Sequence, residues 1–533
     1  MNLSKSRILN EKNFKILEIF GLLVALTLAA VFRFINISIY PGWYSDEGTI
    51  INITQNLLKG KLQYLALIDS TLLAARLPLF PLSLAVLFRL FGEGINTLRI
   101  YTSTLGMISV ALLYFVVRKA LGRDGVLLAL LSAFMLAIFP LAVTYNRLGF
   151  SYNLLTPLVL LAFLGLWEFM RTLKHGWLAL AAFVIGLGSV SDLMMVTFVL
   201  PFFFIVLLTR WKDLIWSLPL LGFPLIVYGT IMVLQNPNVF LYDLTFMISR
   251  LGEIPWWAQI PFVTFNTGEL ILSNTWFGIA IIGLFILIPP RFKYFSLLFF
   301  LLPLFSLGRT IGISGLGLYY ISPLFPFVAI GIANLVVVGA PKILTTTRQG
   351  IDQAIEKFSA LFKIQVFNWM SKRFNAVISS LVLFFLLFAP FLISSLLLLS
   401  NVLGGFETQI DWALIDPIGA KKVADFIHIE AKGDDYLIAS PALCWLFETR
   451  VADFQQAIAA EGHSTEHFLA DIPANRFAFD ARYSQAKFIV FDKIWHNWAA
   501  VAMPEVAEMM REVETWSLVF QEGEFEIYRN PLK

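Results

Sequence analysis

Charge is scarce in this chain. Lysine, arginine, aspartate and glutamate make up 14% of its 533 residues, against about 25% in an average soluble domain. That deficit excludes an ordinary water-soluble protein. The net charge of +3 is spread over many loops, so nucleic acid is not an expected partner. The single cysteine, Cys444, excludes an internal disulfide and a thiolate metal cluster, and leaves the redox compartment open. The phosphate-binding glycine loop, the dinucleotide fingerprint, the zincin helix and the nucleophile elbow are all missing. His463 and His467 stand four apart and could share a helix face, but no third ligand accompanies them, so a metal site there is weak.

What the sequence has in place of charge is hydrocarbon: 58% of its residues are hydrophobic. They fall in runs of about span length, which reads as a polytopic membrane protein. Lys5, Arg7, Lys12 and Lys15 precede the first run, Leu17 to Phe34, and place the N-terminus in the cytoplasm. No small-residue cleavage site follows that run. Later runs close on alternate sides with Arg118, Lys119 and Arg123, then Arg171 and Lys174, Arg210 and Lys212, and Arg291 and Lys293. This bias predicts about eleven spans within residues 1–400, with outer loops at 37–97 and 235–269. Leu77 to Phe91 is short and broken by Pro78 and Pro81, so it reads as an interfacial helix. A basic amphipathic stretch between Lys342 and Arg373 is expected on the inner leaflet. The protein is expected in the inner or plasma membrane.

Residues 401–533 differ in character. Charges become frequent and apolar runs shrink to strand length. Asp434 to Ser440 and Lys487 to Asp492 read as buried strands, and Lys421 to Ile429 and Glu505 to Val513 carry helical spacing. Trp516 to Phe520 and Phe525 to Tyr528, joined through Gly523, read as a closing hairpin. The expected fold is thus an α-helical membrane domain followed by a small extracytoplasmic α/β domain.

The stretch Pro41-Gly42-Trp43-Tyr44-Ser45-Asp46-Glu47-Gly48 emerges directly after the first span. Two adjacent carboxylates at a membrane surface repel anionic headgroups and are costly to bury. They fit a solvated acidic loop or a functional site. One chemistry suited to the place is transfer of a sugar from a lipid-phosphate donor. A carboxylate serves as base for the acceptor hydroxyl. Arg147, Arg309 or Arg250 could hold the departing phosphate, and loop 235–269 could close over it. A transporter or flippase of lipid-linked or small polar substrates is the competing class. Such proteins carry ionisable or broken sites at mid-membrane in related halves, and no internal repeat is evident here. A membrane scaffold is a third class, which the sequence weakly excludes.

Asp46-Glu47 after a first span resembles the Asp-Glu motif of the glycosyltransferase C superfamily. The resemblance is to prokaryotic relatives of dolichyl-phosphate-mannose protein mannosyltransferases and lipid A aminoarabinose transferases. It extends over roughly the first 340 residues in the order of parts: the acidic pair, Gly60, Leu77-Pro78-Leu79-Phe80-Pro81, Arg99, Arg147, and Tyr319-Tyr320-Ile321-Ser322-Pro323-Leu324-Phe325-Pro326. It implies an inverting transferase that moves a sugar from a polyprenyl-phosphate donor to a protein, glycan or lipid acceptor at the outer face. Asp46 would be the base and Glu47 a catalytic helper, and the two could share a divalent magnesium or manganese. Arg76, Asp192, Tyr319 and Tyr320 would contact substrate. Relatives often carry a lysine where Asp192 follows Gly186-Leu187-Gly188-Ser189-Val190-Ser191. An acid there cannot bind phosphate directly, and it fits structural pairing with an arginine as well as a direct role. Arg147 also fits a snorkelling arginine, and Trp256, Trp257, Tyr319 and Tyr320 also fit interfacial anchors.

Overall fold

A computed structural model describes residues 11–69, 78–249, 256–287, 289–307, 315–339, 389–405, 413–468, 470 and 472–533. Helices carry most of it. In chain order they are α1 (Glu11–Phe34), α2 (Ser45–Leu58), α3 (Leu79–Phe91), α4 (Ile95–Leu121), α5 (Val126–Ile138), α6 (Pro140–Arg147), α7 (Tyr152–Thr172), α8 (His175–Ser189), α9 (Val199–Arg210) and α10 (Leu214–Gln235). Then follow α11 (Pro237–Ser249), α12 (Trp256–Ser273), α13 (Thr275–Phe285), α14 (Pro290–Leu307), α15 (Phe325–Asn334), α16 (Ala389–Gly404) and α17 (Pro417–Glu430). The last three are α18 (Pro441–Cys444), α19 (Phe454–Ala460) and α20 (Pro504–Val513).

Six segments among the described residues are long and apolar enough to cross a membrane, or seven if the bent pair α12–α13 counts as one. The sequence expectation of about eleven is not reached on this measure. Two of the six, 95–138 and 193–235, run to 44 and 43 residues, twice the roughly 20 that one crossing needs. Tight turns at Gly122–Gly125 and Trp211–Asp213 interrupt them, and α4 packs on α5 and α9 on α10. Each is a helical hairpin. α8, with 15 residues, is shorter than the roughly 20 of one crossing. Where α13 meets α15, a Cβ on Gly283 would stand 1.9 Å from the Gly331 carbonyl oxygen. Only glycine permits such an approach of two helix backbones.

Among the described residues of 235–269, where a long loop is expected, the chain forms α11 and most of α12. The short proline-bounded stretch forms α3, which buries Phe80, Leu84 and Phe88 and exposes Leu82, Val86 and Leu90. That spacing puts an apolar stripe on each side, one for the protein and one for the interface.

Residues 413–533 carry a five-stranded mixed sheet. Its strands are β5 (Tyr436–Ala439), β6 (Arg450–Asp453), β7 (Phe488–Phe491), β8 (Ser517–Glu522) and β9 (Phe525–Arg529), in the order β6-β5-β7-β9-β8. The first three neighbours run parallel; β9 runs antiparallel to β7 and to its hairpin mate β8. The expected strands, hairpin and both helices match β5, β7, β8–β9, α17 and α20. The expected histidine face does not form. α19 ends at Ala460, and the His467 ring bonds Gln455 beyond that end.

Two hydrophobic cores result. One is built from the membrane helices. The other joins the sheet to the first outer segment, and takes Trp43, Ile50, Ile51, Tyr64, Phe80 and Leu98 together with Ile415, Leu437, Ile489 and Trp495. The described residues within 37–97 therefore pack against the C-terminal part. A two-residue antiparallel ladder between β1 (Trp43–Tyr44) and β4 (Leu414–Ile415) fastens them. The intervening hairpin is β2 (Gln63–Tyr64) with β3 (Leu67–Ile68).

Candidate active site

The acidic pair opens α2. Tyr44 ends β1 in an extended conformation and Ser45 begins the helix, so Asp46 and Glu47 lie in its first turn. Carboxylates are favoured there because the helix N-terminus is partially positive. Glu47, in the third helical position, reaches back to accept from the Tyr44 backbone N–H at 3.0 Å, half of a capping box. The next residue, Gly48, faces the C-terminal part. A Cβ there would lie 2.0 Å from the Pro441 carbonyl oxygen. Three consecutive residues thus face three ways, as helical geometry requires.

Glu47 is fully buried and its oxygens are filled. Arg99 Nε donates to Oε1 at 2.8 Å and Arg99 Nη2 to Oε2 at 2.6 Å. The Gly149 N–H donates to Oε1 at 2.8 Å. With the Tyr44 bond, that is the full capacity of a carboxylate. Arg99 also donates to the carbonyls of Ile37 at 2.9 Å and of Gly42. The Glu47–Arg99 pair therefore ties α2, α4, the turn after α1 and the turn before α7 into one unit. In this arrangement no lone pair of Glu47 remains for a catalytic or metal-binding task. A divalent ion shared by Asp46 and Glu47 does not fit this donor set. Among the described residues, no group of three or more histidine, cysteine or acidic side chains could hold a metal.

Arg147 also departs from expectation. It is fully buried, and donates to the Phe32 carbonyl at 2.8 Å, Ile35 at 2.6 Å and Tyr40 at 3.2 Å. These are carbonyls at and after the C-terminal end of α1, which a guanidinium satisfies well. Arg33 does the same for α5, donating to Ala137 at 2.6 Å and Leu136 at 3.1 Å, and also bonds Asn146 at 3.0 Å. The guanidinium of Arg147 is thus directed at backbone carbonyls of the α1 end. Arg76, Arg250 and Arg309 lie outside the described residues.

Asp46 is only half-buried. Its charge is felt at the Tyr319 hydroxyl. Tyr319 is the centre of an aromatic wall. Its ring stacks on Phe150 at 4.6 Å and on Tyr152 at 5.3 Å, lies 4.4 Å from Tyr320, and reaches Tyr44 at 6.5 Å. Asp192 caps the turn Leu193–Phe198, accepting from the Met194 N–H at 3.0 Å, and takes the Ser151 hydroxyl at 3.0 Å. It therefore braces the turn that carries Phe150 and Tyr152. Segments from five places in the chain converge around Asp46: 44–48, 99, 147–152, 192 and 319–320.

The sequence alone marks neither Gly48 as a contact nor Arg99 as the partner of Glu47. An arginine and a glutamate in otherwise apolar surroundings are a usable signal, because buried charges must pair. The sequence does not say which arginine is the partner.

Residues 75–239 match the family model described as dolichyl-phosphate-mannose-protein mannosyltransferase. No curated protein matches the sequence. Among solved structures, the chain is similar to ArnT from Cupriavidus metallidurans bound to undecaprenyl phosphate. That similarity has a TM-score of 0.60 at 15% identity and covers 98% of both chains. Against the apo form of the same protein the TM-score is 0.61 at 14% identity, over 97% of this chain and 98% of that one. The sequence resemblance and these matches agree: the chain has the glycosyltransferase C fold in its ArnT-like form, and over residues 75–239 it matches the protein mannosyltransferase family.

Proposed function

We propose that this protein is a membrane glycosyltransferase that moves a sugar from a polyprenyl-phosphate donor to a hydroxyl-bearing acceptor at the outer membrane face, with inversion. The observation that carries the reading is the division of labour in the acidic pair. Glu47 is locked by Arg99, while Asp46 stands half-buried beside an aromatic wall at the rim of the helical bundle. A transporter or scaffold gives no reason for such a pre-set carboxylate.

In the reaction the acceptor oxygen attacks the anomeric carbon from the face opposite the phosphate. The bond from that carbon to the phosphate oxygen breaks, and polyprenyl phosphate leaves with the bonding electrons. The acceptor proton passes to Asp46, whose carboxylate is the general base. Attack from the opposite face inverts the anomeric centre. The departing phosphate gains negative charge and needs a cation. With Arg147 turned to backbone carbonyls, we assign that role to Arg309 and Arg250. Tyr319 and Tyr320 form one wall for the sugar.

Loss of a positioned base typically slows turnover about a hundred- to ten-thousand-fold. Asp46→Asn should do so while leaving expression and donor binding near parental. Release of polyprenyl phosphate from a panel of polyprenyl-phosphate sugars reads this directly. Near-parental turnover in the variant at saturating substrates would remove Asp46 as base, and no release by the parent from any donor would remove the transferase reading.

A further inference from the structure

A second polar cluster forms where three parts of the chain meet. Asp243 sits on α11 and is 4% exposed, and neither carboxylate oxygen has a hydrogen-bond partner. Arg476, from the C-terminal part, approaches the same place. Its Nε donates to the Ile68 carbonyl at 3.0 Å and its Nη2 to the Asp69 carbonyl, both on the first outer segment. Asn236, at the start of α11, reaches the Asp69 carboxylate at 3.4 Å. Asp243 and Arg476 feel each other's charge but close no ion pair, and Arg476 Nη1 donates to no described residue. Tyr228 on α10 and Tyr242 on α11 bring phenols into the same electrostatic neighbourhood.

A buried polar group without a partner costs stability, so a natural chain that keeps one calls for a reason. Burial pushes the Asp243 carboxyl up to about 8. At neutral pH it therefore offers both an O–H donor and a carbonyl acceptor. The guanidinium opposite offers only donors. The group that satisfies both sides accepts from Arg476 and either donates to or accepts from Asp243. Hydroxyls do this, and a run of neighbouring hydroxyls does it across a gap wider than one hydrogen bond. A carboxylate or phosphate would accept from both groups but return no hydrogen to the Asp243 carbonyl oxygen, and a cation would meet Arg476 unfavourably. The same helix turns Leu241 and Leu244 outward, 58% and 45% exposed, so the cluster lies at the lipid boundary.

We propose that Asp243 and Arg476 flank a binding site for a hydroxyl-rich sugar group presented at the membrane surface. The group belongs either to the donor or to the acceptor. The assignment rests on the transferase reading for its biological sense, but not for its test.

The protein in lipid nanodiscs is probed by saturation-transfer NMR with methyl glycosides of mannose, glucose, galactose and arabinose. The parent should show contact with at least one. Asp243→Leu should weaken that contact at least tenfold, with no fall in melting temperature, because the unpaired carboxyl is gone. Asp243→Asn, which keeps a donor and an acceptor, should retain it within about threefold. If the leucine variant does not fold, Asp243→Ala takes its place. In the turnover assay, KM for either the donor or the acceptor should rise about tenfold with kcat nearly unchanged, and the substrate affected identifies the source of the sugar. No glycoside contact in the parent, or equal contact in the leucine variant, would reduce the cluster to a bridging water and overturn the proposal. Glycoside binding without any release of polyprenyl phosphate would sink the transferase reading and leave the site standing.

Discussion

At the scale of single residues, several of the buried charges around the acidic pair hold backbone. Arg33, Arg99 and Arg147 are fully buried and direct most of their donors at main-chain carbonyls. Removing one partner of a buried ion pair costs roughly 3–5 kcal/mol, because the other charge is left uncompensated. Glu47→Ala should therefore cost most of the protein's folding stability and sharply lower its yield in membranes. Glu47→Ala with Arg99→Met should recover part of that loss, since no lone charge is then buried. Thermal unfolding of the purified variants checks both. Arg147→Ala should lower the melting temperature while the surviving enzyme keeps a parental donor KM. A raised donor KM at an unchanged melting temperature would restore Arg147 to the phosphate site.

At the scale of elements, α2 is the hinge of the design. It presents Asp46 on one side, receives Arg99 on another, and lies on α18 through Gly48. Gly48→Ala would force its Cβ into the Pro441 backbone, where no side chain can move aside. Overpacking of this kind costs roughly 1–3 kcal/mol. Both turnover and melting temperature should fall, whereas alanine at Gly176, where nothing lies within 4 Å of a Cβ, should leave both near parental.

The carboxyl ends of the parallel strands bear on the same contact. In open α/β sheets that end is the usual ligand crevice. Here the first outer segment covers it. The Tyr64 hydroxyl donates to Asp453 at 2.8 Å, and Gln456 exchanges bonds with Tyr64 and Ala66. Burial pushes Asp453 up to about 6 and Asp492, bonded by the Ser440 hydroxyl, up to about 7. An acid whose pKa is raised on folding binds its proton more tightly in the folded state. Stability is then full below the unfolded carboxyl value and falls as pH rises through the folded one. Melting temperature should decline between about pH 4 and pH 7. Asp492→Asn, which cannot ionise, should flatten the upper part of that decline.

At the scale of the whole molecule, the boundary between membrane and C-terminal parts is not where composition changes. The second core takes residues from both sides of it, and β4 pairs with β1 two residues before Asp46. Deletion of 413–533 would expose Trp43, Ile51 and Tyr64, so it should abolish turnover and reduce accumulation in the membrane together. A truncated protein with parental turnover would show that Asp46 needs no such brace.

Much of the architecture was legible in the chain. Long apolar runs have few homes outside a bilayer, and strands such as Tyr436–Ala439 announce themselves by length and side-chain type. The place of Asp46 was legible because a carboxylate just past a first span is costly without a purpose. The span count was less so, since hydropathy measures apolar length and not where Gly122–Gly125 turns the chain back. The helices at 237–273 were hidden by polar and aromatic residues that fit a loop equally well.

The sequence by itself determined that this is a polytopic membrane protein with an α/β C-terminal part and an acidic pair just past its first apolar run. Local physics suffices for that: hydrocarbon runs, periodicity and the reluctance of charge to enter lipid each act within a few residues. Only the tertiary structure decided that Glu47 is a strut held by Arg99, that Arg147 faces carbonyls, and that Gly48 seats the C-terminal part. Those roles depend on partners 52 and 102 residues away, at Arg99 and Gly149, and on Pro441 far beyond. A charge buried in a low-dielectric interior takes whichever partner the packing brings to it, and packing is a property of the whole chain.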